Sequence, residues 1–173
     1  MRITRFFVVL LALAAIAAFF LPYFVFNNAG QQPESGYEET GSLEGFNITP
    51  EEAAKPSLFT IVKGYFQREK ANADEEAVSV FYIILYCLIP FFGFLIFLFG
   101  LTGLPVPALI FSALLGGTGV LIRWDFGLRS AIPSPTFSFG IGYYMIFICT
   151  VLLFAASICG IAEKRRHRRW TGR

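Results

Sequence analysis

The chain has 173 residues and a formal net charge of +2, and 55% of its residues are hydrophobic and 17% aromatic. Only 15% are charged, against about 25% in a soluble domain, and a single core of this size could not bury so much apolar surface. These figures exclude an ordinary soluble domain. The apolar residues cluster into runs of roughly 20, so the sequence predicts a multi-pass membrane protein.

The first apolar run covers residues 6–26 and follows Arg2 and Arg5. A cleaved signal peptide has an apolar region of about 7 to 15 residues that ends at small residues. This run is longer, and Asn27 would occupy the small-residue position of a cleavage site. Residues 1–26 are therefore predicted to be a cytoplasmic start and an uncleaved signal-anchor helix, with removal as the alternative.

Residues 27–79 form the longest polar segment, with four basic residues against ten acidic ones. Residues 27–45 are rich in Gly, Glu, Ser and Gln and predict a flexible linker. Thr49 and Glu52 then have the spacing of a capping box at a helix start. Asn47 opens the glycosylation pattern "NIT", which matters only in a host that glycosylates.

An apolar stripe interrupts this polar loop near residues 57–68. At the helical period of about 100° per residue, six residues fall on one half of the helix. They are Leu58, Phe59, Ile61, Val62, Tyr65 and Phe66. The pattern predicts a short amphipathic helix whose stripe covers the tops of the spans, the membrane surface or a partner, and internal packing is the commonest of these uses. A short β-strand at "SLFTIV" is the alternative.

Three more apolar runs cover residues 80–100, 104–122 and 138–162. Pro90 lies in the middle of the second run and predicts a kink. Residues 101–103 leave room only for a tight hairpin, and residues 123–137 form a short outer loop in which Arg123 and Asp125 are expected to pair. The predicted fold class is all-α, a bundle of four transmembrane helices.

Charge predicts the orientation of the bundle. The tail, residues 163–173, carries six Lys and Arg residues against one Glu, and the start of the chain adds Arg2 and Arg5. Short loops and ends rich in Lys and Arg stay in the cytoplasm. Four crossings also place both ends on one side, so both termini are predicted to be cytoplasmic and the acidic loop extracytoplasmic, in the plasma membrane.

With a long first outer loop, a shorter second one and both ends inside, this layout resembles that of four-span claudin-like proteins. That family carries a Trp-Gly-Leu-Trp motif and a pair of cysteines in the first outer loop. Residues 27–79 contain neither Trp nor Cys, so the family's disulfide and its junction-forming role are not expected here.

One group of residues is predicted to pack helices together within the membrane, and another is predicted to contact lipid at its inner surface. Small residues four apart let helices approach closely, and they occur as Ser112 with Gly116, Ala113 with Gly117, and Ala156 with Gly160. They are expected to join helices of one chain, with a homo-oligomer as the alternative. Basic residues beside a span attract anionic lipid of the inner leaflet, and they are Lys164, Arg165, Arg166, Arg168 and Arg169.

The sequence offers little catalytic chemistry. No Asp, Glu, Lys, Arg or His lies within the four predicted spans, which counts against proton-coupled transport and paired-aspartate proteolysis. His167 is the only histidine and lies in a basic run, so a zinc cluster or a His-based triad is not expected. No catalytic, metal or cofactor site is predicted. Nucleic-acid binding is not expected either, since topology and lipid contact account for the basic tail.

These observations predict a non-enzymatic polytopic membrane protein that works as an accessory or interaction subunit. Its expected partners are the lipid bilayer and another membrane protein. The alternative is a subunit of an oligomeric channel or transporter, with the pore formed between copies.

Overall fold

The computed structural model describes residues 2–26, 55–69, 76–128 and 137–170. These ranges contain α1 (Arg2–Ala18), β1 (Phe24–Phe26), α2 (Leu58–Glu69), α3 (Glu76–Thr102), α4 (Pro105–Leu128), β2 (Phe137–Phe139) and α5 (Ile141–Trp170). Helices account for 87% of the described residues, which confirms a mostly helical fold. The predicted linker, the helix start at Thr49 and the glycosylation pattern at Asn47 lie outside the described residues.

Three helices are long and apolar enough to cross a membrane. Their apolar parts are Val80–Thr102 in α3, Pro105–Gly127 in α4 and Ile141–Arg166 in α5, with 23, 23 and 26 residues. At about 1.5 Å per residue each exceeds the roughly 30 Å of a hydrocarbon core. These lengths fit a membrane protein.

Several predicted span boundaries differ from the helices observed, since α3 covers Glu76–Thr102 rather than residues 80–100 and α5 continues to Trp170. α4 continues past Ile122 through Arg123 and Asp125 to Leu128, because charge ends an apolar run without ending a helix. α5 begins at Ile141 rather than at Ser138, because Ser138 pairs with Val25 between β1 and β2.

The run predicted as one helix over residues 6–26 is not one helix. α1 ends at Ala18, and Phe24–Phe26 forms β1. Pro22 has no amide to continue the helix, and its carbonyl accepts a hydrogen bond from the Gly142 amide at 2.8 Å. The 17 residues of α1 span about 25 Å, so α1 is not among the helices long enough to cross alone. A fourth crossing stays a prediction.

The chain divides into two compact units. Unit 1 consists of Met1–Ala18, Leu88–Val120 and Met145–Arg173, and unit 2 consists of Phe19–Cys87 and Leu121–Tyr144. Unit 1 contains α1 and parts of α3, α4 and α5. Unit 2 contains both strands, α2 and the remaining parts of the three long helices.

In unit 1, α1 packs antiparallel to α3 along a row of small residues. A Cβ on Gly93 would lie 2.8 Å from Cγ1 of Ile16, and a Cβ on Gly100 would lie 3.0 Å from Cγ1 of Val8. Gly100, the later of the two glycines on α3, therefore faces Val8, the earlier residue on α1, so the two helices run in opposite directions. The buried residues of α1 are small, and they include Val8, Ala12, Ala15 and Ala18. Close backbone approach of this kind holds helices together in lipid.

The α4 and α5 helices are also antiparallel where they meet in unit 1. A Cβ on Gly116 would lie 2.9 Å from Cγ2 of Thr150, and a Cβ on Gly119 would lie 3.6 Å from the ring of Phe147. Nearer the other end of this pair, a Cβ on Gly160 would lie 3.3 Å from Pro105. Glycine thus allows contact along much of the length of both helices.

A tight turn joins α3 to α4. Gly103 has a φ of 69°, in the left-handed region that glycine adopts without strain. The Gly103 amide donates to the Gly100 carbonyl at 3.2 Å, and the Leu104 amide donates to the Phe99 carbonyl at 3.0 Å. This pair of hydrogen bonds is a Schellman motif, which satisfies the last carbonyls of α3. Pro105 then occupies the first position of α4, where a missing amide costs nothing.

In unit 2 the two strands form an antiparallel pair in which Phe24 lies opposite Phe139. Pro22 forms an isolated bridge with Ser57, and the Tyr23 amide donates to the Pro56 carbonyl at 2.9 Å. Backbone bonds therefore tie the segment after α1 to both β2 and the start of α2. The all-α prediction did not include these strands.

Candidate functional site

The start of α2 is capped on two sides. The Thr60 amide donates to the hydroxyl of Ser57 at 3.1 Å, which is the usual bond of a helix N-cap. The Phe59 amide donates to the Phe19 carbonyl at 3.3 Å. Two first-turn amides are therefore satisfied, and α2 has a defined position against the segment after α1.

The six residues of the predicted apolar stripe lie on two faces of α2. Leu58, Ile61 and Val62 are buried, and Tyr65 is half-buried. Phe59 and Phe66 are 47% and 50% exposed. The structure has a helix here and not the alternative strand.

The exposed side of α2 presents a small aromatic surface, which we call the aromatic face and define as Phe20, Phe59 and Phe66. Phe59 and Phe66 are seven positions apart and so lie on one side of the helix. Phe20 is 57% exposed, and its ring centroid lies 5.3 Å from that of Phe59. Lys63 is exposed and belongs to the same side of α2. The face is therefore apolar with one cation beside it.

The buried side of α2 joins a cluster of aromatic rings within unit 2. The Tyr65 ring lies 5.7 Å from Tyr82 and 6.2 Å from Tyr86, both on α3. Tyr86 stacks on Phe126 of α4 at 6.1 Å, and Phe126 lies 6.2 Å from Tyr23. Such ring contacts contribute beyond simple area burial. Tyr65 thus anchors α2 to the part of α3 that belongs to unit 2.

Arg123 completes the cluster from the end of α4. Its guanidinium donates to the Tyr143 hydroxyl at 2.5 Å and lies 5.7 Å from the centre of the Phe139 ring, a cation–π distance. The expected pair of Arg123 with Asp125 is not observed, because residues two apart on a helix point to different sides. Asp125 instead accepts a long hydrogen bond of 3.5 Å from the Tyr82 hydroxyl.

Tyr23 lies at the centre of the cluster and is buried. Burial raises the pKa of its phenol above the usual range, and the neighbouring Tyr143 adds to this effect while Arg123 opposes it. The Tyr23 hydroxyl therefore keeps its proton. It has no hydrogen-bond partner among the described residues.

The predicted small-residue pairs face different surroundings. Ser112 is buried and Gly116 faces Thr150, whereas Ala113 and Gly117 are exposed, with nothing within 4 Å of a Cβ placed on Gly117. On α5, Ala156 is half-buried and Gly160 faces Pro105. Three other glycines that contact neighbouring helices, Gly93, Gly100 and Gly119, were missed because no small residue lies four positions away on the facing side.

A small cleft lies within unit 1 where the start of α1, the α3–α4 turn and the later part of α5 meet. We call it the Ser157 cleft, since the side chain of Ser157 lines it and is 1% exposed. Its volume is about 30 Å³. Its walls are mostly glycine, alanine and aliphatic residues, including Gly100, Ala108 and Val8.

Polar residues lie at one side of the Ser157 cleft. Thr4, Arg5 and Glu163 also line it, and the Thr4 hydroxyl donates to Oε1 of Glu163 at 2.9 Å. The Arg5 side chain occupies the space that a Cβ on Gly103 would need. The cleft was not predicted from the sequence. The only feature that points to it is that Ser157 lies between Ala156 and Gly160, the predicted small-residue pair of α5.

The predicted lipid-contact residues continue α5 beyond the cleft. Lys164 is half-buried, and Arg165 and Arg166 are exposed. Arg168 and Arg169 belong to the last turns of α5. Helical continuation of this candidate span keeps Lys164, Arg165 and Arg166 close to the end of the apolar segment.

Within the described ranges, no group of three His, Cys, Asp or Glu side chains could hold a metal ion. Cys87, Cys149 and Cys159 are free thiols.

Comparison with family models, with characterised proteins and with solved structures found no match to this chain.

Proposed function

We propose that this chain is a non-enzymatic, multi-pass protein of the plasma membrane that acts as an interaction subunit. It binds another membrane protein through the aromatic face of α2, on the extracytoplasmic side. The supporting observation is that Phe59 and Phe66 stay about half exposed on a helix whose other side is packed. Both termini lie in the cytoplasm in this proposal.

The anchoring of α2 supports a protein partner for this face. Leu58 is fully buried, Tyr65 contacts Tyr82, and Ser57 caps the helix. The exposed rings are therefore held in place before binding, so little conformational entropy is lost when a partner arrives. Aromatic side chains are also enriched at the centres of protein interfaces, where they contribute much of the affinity.

Photo-crosslinking in intact membranes tests this proposal. A photoreactive phenylalanine analogue replaces Phe59 in the full chain, and the matched control carries it at Phe94 of α3, which is 51% exposed on a candidate span. Irradiation at position 59 is expected to give one discrete adduct with a second protein. The control is expected to give only lipid adducts.

Lipid adducts alone at position 59 would contradict the proposal, because the aromatic face would then contact the bilayer. An adduct with a second copy of this chain, together with ion conduction by the purified protein in liposomes, would also contradict it. That pair of results would favour the channel-subunit alternative.

A further inference from the structure

The hydroxyl of Ser157 differs from the neighbouring hydroxyls of the long helices. Those of Ser112, Thr118 and Thr150 each donate to the carbonyl four residues earlier, at 2.7, 3.0 and 2.8 Å. This bond is the ordinary way for a hydroxyl to be satisfied on an apolar helix. Ser157 has no hydrogen-bond partner among the described residues, although its side chain is almost completely buried.

A buried hydroxyl without a partner is costly, and a bound group that accepts its hydrogen bond recovers that cost. Ser157 lines the cleft. Of the two polar residues of α5 that line it, Ser157 and Glu163, Ser157 lies further from the basic tail. The cleft volume of about 30 Å³ matches a group the size of a water molecule or a carbonyl. The required ligand group is therefore a small hydrogen-bond acceptor rather than a bulky apolar chain.

The side of the cleft nearest the basic tail has the charge to attract an anion. Arg5 lines the cleft, and Lys164, Arg165 and Arg166 follow on α5. Glu163 opposes them, but its carboxylate accepts the hydrogen bond of Thr4. The basic residues outnumber this one carboxylate, so an anionic group is attracted here.

The spacing of Ser157 and Glu163 along α5 is on the scale of a lipid headgroup region. Ser157 and Glu163 are six residues apart on one helix, which is about 9 Å along its axis. The polar layer on each side of a hydrocarbon core is roughly 5 to 8 Å thick. An acceptor at Ser157 and an anion at the side of the cleft that Arg5 and Glu163 line are therefore spaced on the scale of the ester carbonyl and the phosphate of one glycerophospholipid.

We propose that the Ser157 cleft binds a glycerophospholipid of the leaflet that faces the basic tail. The ester carbonyl of the lipid enters the cleft and accepts a hydrogen bond from Ser157. The lipid phosphate lies beside Arg5, and the acyl chains lie along the apolar outer surface of the helices.

The test uses the full chain, purified in mild detergent and freed of lipid, with its thermal unfolding midpoint measured during lipid titration. The probes are phosphatidylglycerol, its diether analogue with the same headgroup but no ester carbonyls, and inorganic phosphate. Wild-type protein is expected to bind the ester lipid roughly fivefold more tightly than the ether lipid, the effect of about one hydrogen bond. Inorganic phosphate is expected to cause no shift of the midpoint.

Variants separate the two contacts. S157A is expected to bind both lipids with the weaker, ether-like affinity, while its midpoint without lipid stays at or above that of wild type. R5Q is expected to weaken binding of both lipids by several fold and to keep the ester preference. The comparison variant R166Q removes a tail charge that does not line the cleft, and it is expected to weaken binding of both lipids clearly less than R5Q does.

Equal binding of the ester and ether lipids by wild type would overturn the proposal, as would an ester preference that survives in S157A. Equal losses in R5Q and R166Q would show only general attraction between the basic end and anionic lipid. A midpoint shift with inorganic phosphate as large as that with lipid would show a free-anion site, and it would equally overturn the lipid assignment.

Discussion

At Gly140 two backbone segments of unit 2 lie too close together for any side chain. The Gly140 amide donates to the Tyr23 carbonyl at 2.7 Å, and a Cβ on Gly140 would collide with the carbonyl oxygen of Pro22. Both groups are main-chain atoms, so neither can turn away as a flexible side chain could. This glycine is required by space rather than by an unusual φ.

Replacing Gly140 by alanine is therefore expected to lower the free energy of unfolding by about 1 to 3 kcal/mol, the usual effect of overpacking. The thermal unfolding midpoint in detergent measures it. Gly127→Ala is the matched control, because nothing lies within 4 Å of a Cβ at that position. Equal midpoints for the two variants would show that the close approach does not exist.

Tyr143 links Arg123 to the aromatic cluster by one hydroxyl. Tyr143→Phe keeps the ring and removes the acceptor, and is expected to cost about 1 kcal/mol because Arg123 is exposed and can regain water. Tyr144→Phe on the exposed neighbouring ring should change the unfolding midpoint little. A loss no larger than that of Tyr144→Phe would show that the Arg123 bond contributes nothing.

At the scale of elements, α2 shows what an apolar pattern predicts and what it leaves open. The period of the pattern predicted a helix near residues 57–68, and a helix is found at Leu58–Glu69. The pattern could not separate Leu58 from Phe59, since both fall on the apolar half of the wheel. The separation depends on which side of α2 packs against other elements, and Tyr65 marks that side by its contacts with Tyr82 and Tyr86 of α3.

Leu58→Ala and Phe59→Ala therefore have different expected effects although the residues are adjacent. Leu58 is fully buried, and its truncation is expected to cost about 2 to 5 kcal/mol. Phe59→Ala is expected to lower the free energy of unfolding much less than Leu58→Ala does, and to weaken binding of the partner instead. Unfolding midpoints and co-purification of the partner measure the two effects. A stability loss for Phe59→Ala as large as for Leu58→Ala would contradict the assigned faces.

The end of α1 shows why an apolar run does not fix a helix boundary. Residues 6–26 are uniformly apolar, yet α1 ends at Ala18. The following backbone bonds to Pro56, Gly140 and Gly142, and none of these partners can be recognised from composition. The Schellman turn after α3 depends instead on local residues, Gly103 and Pro105. A hairpin was expected there because residues 101–103 leave room for nothing longer.

At the scale of the whole molecule, the contacts of unit 1 bear on the number of crossings. The Thr4 hydroxyl of α1 bonds Glu163 of α5, and Arg5 lies against Gly103 after α3. The start of α1 and the end of α5 therefore lie at the same end of unit 1. That arrangement agrees with the proposal that both basic ends lie on one side of the membrane, although α1 is shorter than the three candidate spans.

Cysteine labelling in intact cells tests this orientation most directly. Cys87, Cys149 and Cys159 are first replaced by serine or alanine, and a single cysteine is then placed at Lys55 or at Arg165, both exposed. A membrane-impermeant maleimide is expected to label Lys55→Cys in intact cells and Arg165→Cys only after permeabilisation. Labelling of Arg165→Cys in intact cells, with Lys55→Cys protected, would contradict the account.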